Sequence, residues 1–185
     1  MRIISGRFKG RRFHPPAGKW PTRPTTDIGR EGLYNILANL LDFEVIRCLD
    51  LFGGTGSHAF ESISRGCQAV TYVDRHEPCI RFVRGMAREL AIEPCVRIIR
   101  DDVFRFLSSC SERFDYIFAD PPYGLPRVGT LPDLLIEHGL LEEDGLFVLE
   151  HAGIHRFGEH PHFLQERRYG ETWFSFFHSG KGKKG

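Results

Sequence analysis

Apolar residues follow two different patterns along the chain, and the change falls near residue 45. Before it, four apolar residues recur at the i, i+3, i+4 and i+7 spacing of one helix face: Leu33, Ile36, Leu37 and Leu40. The Pro-Thr-Thr-Asp segment at 24–27 offers N-cap residues for this helix. After residue 45, short apolar runs typical of buried strands alternate with longer segments of helical composition.

The second pattern predicts an α/β fold. Its five strands lie at residues 45–49, 69–73, 96–99, 116–119 and 146–149. Helices are predicted between them at residues 57–65, 77–90 and 131–138, with a further one that begins at 103. This alternation implies a mostly parallel sheet that is covered by helices on both faces. Two last runs around Gly170, at 163–169 and 172–178, predict an antiparallel hairpin.

The start of the chain has its own pattern. Arg2–Ser5 and Arg11–Phe13 flank Gly6 and Gly10, which predicts a small hairpin, and Pro15–Gly18 then interrupts regular structure. The predicted units are a basic hairpin extension at 1–24, a main domain at 25–180 and a flexible basic tail at 181–185.

Composition narrows the class of protein. With 185 residues, 41% of them hydrophobic and 26% charged, the chain fits one globular domain with a small extension. It contains no apolar run of about 18 residues and no signal-peptide core, so we expect a cytoplasmic protein without a membrane segment. Its 5 cysteines include no C-x-x-C pair, which favours buried reduced thiols over zinc ligands or disulfides.

A net charge of +1 conceals a basic N-terminal segment. Residues 1–30 carry eight lysines and arginines against one acid, Asp27. Such a segment favours a polyanion partner, because basic side chains release counterions from phosphates. A solvated arm without a partner is the alternative. The candidate phosphate contacts are Arg7, Lys9, Arg11, Arg12, Arg23 and Arg30.

A glycine-rich turn directly follows the first strand. In an α/β sheet, such a turn lets a ligand approach the backbone at the carboxyl end of the strand. Gly54–Ala59 also satisfies a loose dinucleotide fingerprint, so NAD is an alternative at this point, as is a tight turn without a ligand. The candidate cofactor-binding residues here are Asp50, Phe52, Gly53, Gly54, Thr55 and Gly56.

Acidic residues lie at or just after the ends of the next two predicted strands. Asp74, which precedes Arg75, can accept hydrogen bonds from ribose hydroxyls, or it can be an ordinary solvated acid. Either Asp101 or Asp102, after the third strand, can cap the next helix. Asp102, which precedes Val103, can also accept a hydrogen bond from an adenine amine, and the two roles can coexist. We include Asp74, Arg75, Asp102 and Val103 among the candidate cofactor contacts.

Asp120-Pro121-Pro122-Tyr123, after the fourth strand, is the most specific element. The prolines stiffen the loop and supply no N–H, which leaves the Asp120 carboxylate and the Pro121 carbonyl as free acceptors beside the Tyr123 ring. These groups suit an amino group on a planar ring, which donates to the acceptors and stacks on the aromatic side chain. A hydride-transfer enzyme has no use for them. We assign all four as candidate catalytic residues; a rigid Pro-Pro turn is the alternative.

These motifs together resemble the RsmD family of small-subunit rRNA guanine-N2 methyltransferases, within the Rossmann-like class I methyltransferases. The matching segments are Arg2–Gly6 with Gly10-Arg11, Arg23–Asp27 with Arg30-Glu31 and Asn35–Leu37, Asp50–Gly56, and Asp120–Tyr123. The Arg-Pro-Thr-Thr-Asp segment separates this family from other methyltransferases with the same core. The chain departs from the usual family pattern at Ile28, Gly29, Gly53, Thr55, His58 and Phe60.

The resemblance implies S-adenosylmethionine as cofactor, with Asp74 at its ribose and Asp102 at its adenine. It implies a flipped guanine beside Asp120 and Tyr123, and small-subunit rRNA or an assembling subunit as partner. We expect a monomer. We also expect no metal, since the four late histidines, at 151, 155, 160 and 162, form no H-E-x-x-H motif. The alternatives are an amino methyltransferase of DNA adenine or protein glutamine, a NAD-dependent oxidoreductase, and a non-catalytic RNA-binding module.

Overall fold

The computed structural model describes residues 1–15 and 27–180. The helices are α1 Asp27–Leu37, α2 Ser57–Ser64, α3 Glu77–Glu89, α4 Val103–Ser109 and α5 Leu131–Glu137. The strands are β1 Arg47–Leu51, β2 Ala69–Asp74, β3 Val96–Arg100, β4 Phe114–Ala119, β5 Leu141–His151, β6 Phe163–Tyr169 and β7 Thr172–His178. The predicted order of elements is confirmed. Within the described ranges, no helix is long and apolar enough to cross a membrane.

The seven strands form one sheet in the order β3-β2-β1-β4-β5-β7-β6. Strands β1 to β5 pair in parallel, whereas β7 is antiparallel to both β5 and β6. The predicted sheet, mostly parallel with a C-terminal antiparallel hairpin, is therefore confirmed. Because β1 to β5 run in one direction, their carboxyl ends lie along a single edge, which we call the carboxyl edge. The turns that follow these strands meet there.

Each face of the sheet has its own apolar core. On β5, Leu146 and Val148 pack with residues of α1, α2 and α3, whereas Phe147 and Leu149 pack with residues of α4 and α5. This alternation follows from the pleat of a strand, in which successive side chains point to opposite faces. Packing on both faces holds the sheet in place, and with it the position of the carboxyl edge.

The N-terminal segment reverses direction and packs on α2. An antiparallel bridge joins Arg2 to Arg12, and the buried carboxylate of Glu61 accepts the N–H groups of Ile4 at 2.7 Å and Ser5 at 3.0 Å. The predicted reversal is confirmed, although it is held by one bridge and not by two strands. Two further parts of the prediction lie outside the described residues: 16–24 and 181–185.

Two details of the prediction need correction. Helix α1 ends at Leu37, and Leu40 is 49% exposed, so the apolar helix face is one turn shorter than its spacing indicates. The cysteines are free thiols, and Cys48, Cys67 and Cys79 are buried as expected, but Cys95 and Cys110 are only half-buried. The predicted N-cap residues 24–26 lie outside the described residues.

Candidate active site

The glycine turn after β1 has a backbone shape that requires glycine. Gly54 and Gly56 have φ angles of +52° and +74°, in the left-handed region that side chains disfavour. A Cβ on Gly53 would lie 2.3 Å from the Tyr72 ring, and the Tyr72 hydroxyl donates to the Gly54 carbonyl at 2.6 Å. The turn is thereby held against β2, and α2 starts directly after it.

Asp74 ties the end of β2 to this turn. Its Oδ2 accepts the Gly54 N–H at 2.8 Å, and its Oδ1 accepts the His76 N–H at 2.7 Å. A carboxylate oxygen can accept two hydrogen bonds, so each keeps capacity for a ligand hydroxyl. Asp74 therefore shapes the turn, and the ribose role stays a prediction.

Asp102 caps α4, which confirms one of the two predicted roles. Its Oδ1 accepts the N–H groups of Phe104 at 3.0 Å and Arg105 at 3.3 Å, and its Oδ2 lies 3.9 Å from the Arg75 guanidinium. The side chain is 43% exposed and lines a cavity, so the cap does not exclude a ligand contact.

Nine of the fourteen predicted cofactor-binding and catalytic residues meet at a cavity of about 200 Å³ on the carboxyl edge. Its lining includes Phe52, Asp74, Arg75, Asp102, Val103, Asp120, Pro121, Pro122 and Tyr123. We call it the first cavity. The other five, Asp50, Gly53, Gly54, Thr55 and Gly56, do not line it. The Gly54 N–H is bound by Asp74, and the Thr55 hydroxyl donates to the Met1 sulfur at 3.4 Å.

A second cavity, of about 230 Å³, lies on the other side of the Asp120–Tyr123 loop. That loop lines both cavities, and the far wall of the second cavity includes Glu150, His151, Ile154 and His155. Tyr123 is 55% exposed, so its ring is accessible for stacking. The loop that carries Asp120 therefore separates the two cavities.

A polar chamber of about 20 Å³, the size of one water molecule, adjoins Asp120. Asp50, Glu150, Arg30 and His58 line it. Burial raises the pKa of Asp50 to about 8, and the nearby Asp74 charge adds to this shift. Burial also raises the pKa of Asp120 well above its usual range, with further contributions from the charges of Glu150 and Asp50.

Sequence reasoning missed Glu150, although a signal was present. Like Asp74 and Asp120, Glu150 is an acid at the end of a strand rich in apolar residues. The β4–β5 register pairs Ala119 with Leu149, so Asp120 and Glu150 occupy the next two facing positions. Two carboxylates from neighbouring strands therefore line the second cavity together.

His58, one of the departures from the family pattern, is buried in an aromatic stack. Its ring lies 3.8 Å from the Phe118 ring at an interplanar angle of 8° and 5.1 Å from the Tyr34 ring. Burial and the charges of Arg30 and Arg65 lower its pKa, so the imidazole stays neutral. Within the described residues, no group of three His, Cys, Asp or Glu side chains is placed to hold a metal ion.

The predicted phosphate contacts do not form one surface. Arg12 lies near His14 and near Asp27, the first residue of α1. Arg7 donates its backbone N–H to the Ser64 carbonyl at the other end of α2, about 12 Å from the start of that helix. The remaining exposed candidates in the described part are Lys9 and Arg11, and Arg11 pairs with Glu89 at 2.8 Å.

The prediction that Arg30 contacts phosphates needs correction. The prediction for Arg23 lies outside the described residues. The Arg30 side chain is 5% exposed, and its Nη2 donates to the Arg2 carbonyl at 2.6 Å and to Asp27 at 2.7 Å. It lies on the buried face of α1 and lines the polar chamber. A surface contact with phosphates is therefore not available to Arg30 in this structure.

Comparison with known sequences shows the family to which this chain belongs. The family model described as Conserved hypothetical protein 95 matches residues 1–178. Ribosomal RNA small subunit methyltransferase D of Buchnera aphidicola subsp. Baizongia pistaciae is 31% identical and covers 81% of this chain and 75% of its own length. The chain belongs to the RsmD family. A second relative, named Putative rRNA methyltransferase YlbH, of Bacillus subtilis, is 38% identical over 154 residues and covers 82% of each chain.

Solved structures confirm the fold of this RsmD-family chain. The structure of yhhF from Escherichia coli has a TM-score of 0.83 at 25% identity and covers 96% of this chain and 97% of that one. A T. thermophilus 16S rRNA N2 methyltransferase (RsmC), in complex with AdoMet and guanosine, has a TM-score of 0.64 at 19% identity. It covers 88% of this chain and 44% of that one, and it shows likeness of fold alone. The fold is that of the class I S-adenosylmethionine-dependent methyltransferases.

Proposed function

We propose that this chain transfers a methyl group from S-adenosylmethionine to the exocyclic N2 amine of a guanine in small-subunit rRNA. The observation that carries the proposal is the pair of carboxylates, Asp120 and Glu150, in the wall of the second cavity. Relatives from Buchnera aphidicola and Escherichia coli, 31% and 28% identical, are named Ribosomal RNA small subunit methyltransferase D. These names support rRNA as the substrate class.

The chemistry of the first cavity fits S-adenosylmethionine. Asp74 and Asp102 offer carboxylate oxygens at neighbouring strand ends, which suits ribose hydroxyls and an adenine amine. Phe52 and Phe104 line the same cavity and supply apolar surface for a flat ring. When bound, S-adenosylmethionine supplies a methyl group on a positively charged sulfur, which makes that methyl an electrophile.

Asp120 and the Pro121 carbonyl prepare the amine. The lone pair of a guanine amine is delocalised into its ring, which makes the nitrogen a poor nucleophile. Hydrogen bonds from the amine to these two acceptors orient the lone pair, and they strengthen as positive charge grows on nitrogen. When the methylated nitrogen releases a proton, the Asp120 carboxylate accepts it. The raised pKa of Asp120 makes this carboxylate a stronger base than an exposed aspartate.

Glu150 favours guanine over the other amino bases. Guanine carries its N1–H and its N2 amine side by side, so two neighbouring carboxylates can accept from both. Adenine and cytosine present an acceptor nitrogen beside their amine, which a second carboxylate would face without a hydrogen bond. An unpaired buried acceptor costs about 1–3 kcal/mol. We therefore assign Asp120 to the N2 amine and Glu150 to N1–H.

The test is transfer of tritiated methyl from S-adenosylmethionine to small ribosomal subunits that lack their native methylation. Free rRNA and DNA serve as comparison substrates. We expect label in an rRNA guanine, and we expect Asp120→Ala to lower transfer by at least about 100-fold, as loss of one transition-state contact does. Calorimetry should show nearly unchanged cofactor affinity for that variant.

Other outcomes would redirect the assignment. Label in DNA adenine or in a protein amide, and none in rRNA, would overturn the proposed substrate. Equal loss of transfer and of cofactor binding in Asp120→Ala would show that Asp120 is structural. For Glu150→Gln, an unchanged ratio of guanine to adenine methylation would remove Glu150 from base selection.

A further inference from the structure

Two arginines from different segments stack on one tryptophan. The Arg156 guanidinium lies 5.7 Å from the centroid of the Trp173 ring, and the Arg168 guanidinium lies 5.3 Å from it. Both arginines are exposed, whereas Trp173 is half-buried. Stacking of a guanidinium on an aromatic ring holds its plane while its N–H groups stay available at the edge. We call these three residues the Arg–Trp cluster.

Backbone carbonyls, and not carboxylates, hold the two guanidinium groups. Arg156 donates to the carbonyls of Gly153 and His155, and Arg168 Nε donates to the Gly170 carbonyl at 2.7 Å. Across residues 1–15 and 27–180, the ion pairs of the structure include neither arginine. Their positive charge is therefore held in place by backbone and ring contacts, without a salt bridge among the described residues.

The cluster lies next to the second cavity. Trp173 pairs with His151 in the β5–β7 register, directly after Glu150. The Gly153 backbone lies against the Trp173 ring, where an added Cβ would be only 2.2 Å from the indole nitrogen. Residues 152–155, which pass over the ring, contribute Ile154 and His155 to the cavity wall. At about 4.8 Å per strand, β7 is about 10 Å from β4, whose end carries Asp120.

We propose that Arg156, Arg168 and Trp173 bind the phosphate backbone of the RNA strand beside the target base. This inference rests on the proposed function. Fixed guanidinium groups suit phosphates, and a partly exposed indole suits stacking of an unpaired base. A base in the second cavity brings its neighbouring phosphates to this end of the sheet. The cluster lies on the β7 side of the cavity, apart from the N-terminal segment, which packs on α2.

The experiment compares two double variants that remove equal charge. Arg156→Gln with Arg168→Gln removes the cluster. Arg84→Gln with Arg113→Gln is the control, because both side chains are exposed and lie on α3 and before β4, away from the cavity. Binding of deproteinised small-subunit rRNA is measured between 50 and 200 mM KCl. Calorimetry with S-adenosylmethionine and circular dichroism check the cofactor site and the fold.

We expect the cluster variant to bind rRNA roughly 10- to 30-fold more weakly at 0.1 M salt. The slope of log Kd against log salt should fall by about 1.4, because each contact with a single strand contributes about 0.7. KM for rRNA should rise while kcat at saturating rRNA stays unchanged. Arg156→Lys with Arg168→Lys keeps both charges and should restore most of the slope.

Equal slopes for the cluster and control variants would overturn the proposal, as would wild-type protein that does not bind rRNA. The proposed function has a separate readout, which is methyl transfer by the wild-type protein. Transfer to rRNA with equal slopes would leave the function in place and remove the cluster. A reduced slope without transfer to rRNA would keep the RNA contact and reject the proposed reaction.

Discussion

At the residue scale, burial gives Asp50 an acid–base character that an exposed aspartate of the same chain does not have. Asp50 is 2% exposed, and its pKa is raised to about 8, whereas Asp42 is exposed. The two residues are chemically identical in the sequence. The position of Asp50 after a buried strand predicted its place in the site. Its charge state depends on Asp74 and on burial, and both depend on tertiary contacts.

The raised pKa of Asp50 predicts how stability changes with pH. An unfolded aspartate has a pKa of about 3.9. Between that value and about 8, folded Asp50 keeps a proton that the unfolded chain has released, so the free energy of unfolding falls as pH rises through this range. Asp50→Asn, which stays neutral, should lose less stability between pH 5 and pH 8 than wild type does.

Urea unfolding at several pH values measures this effect. Asp42→Asn is the matched control, because it changes an exposed aspartate and should follow the wild-type curve. If Asp50→Asn also follows the wild-type curve, Asp50 is ionised at neutral pH in the folded protein, and its burial does not control its charge.

At the element scale, the amino end of α4 has two roles. Asp102 binds the first free N–H groups of the helix, and the same side chain lines the first cavity. A helix cap is a local feature, so the sequence predicted it from two neighbouring acids, Asp101 and Asp102, and the structure assigns the cap to Asp102. The first cavity, in contrast, is lined by Asp102 and also by the Asp120–Tyr123 loop after β4. Local pattern therefore gave the cap, whereas the ligand role depends on a neighbouring strand that is distant in the sequence.

Substitution of Asp102 by serine and by alanine separates these roles. Serine is also a good N-cap, so Asp102→Ser should keep its stability, whereas Asp102→Ala should lose about 1 kcal/mol of unfolding free energy. Both variants lack the carboxylate, and both should bind S-adenosylmethionine more weakly. Urea unfolding and calorimetry give the two readouts. Wild-type affinity in Asp102→Ser would limit Asp102 to the cap.

At the scale of the whole molecule, the parallel sheet assembles the site. Asp50, Asp74, Asp102, Asp120 and Glu150 all lie at or just after the ends of β1 to β5. The strand order places β1 between β2 and β4, so the glycine turn lies between Asp74, at the end of β2, and the Asp120–Tyr123 loop after β4. A ligand in the first cavity therefore contacts residues after four strands and should stabilise the folded chain as a unit.

This assembly predicts a thermal shift that depends on the ligand. S-adenosylmethionine at about 100 times its Kd should add about 2.7 kcal/mol of stability. For a chain of this length, that corresponds to an increase in Tm of roughly 5 to 10 °C. NAD at the same concentration should leave Tm unchanged, and Asp74→Asn should reduce the shift. A shift with NAD and none with S-adenosylmethionine would favour the oxidoreductase alternative.

The sequence by itself determined the order of elements, the glycine turn and the Asp120–Tyr123 loop. These features depend on local periodicity and on backbone limits of glycine and proline, which act over a few residues. Tertiary structure alone decided that Arg30 is buried, that Glu150 faces Asp120 and that Arg156 and Arg168 share the Trp173 ring. Each of these depends on strand order and register, because they bring together side chains whose separation in the sequence carries no periodic signal.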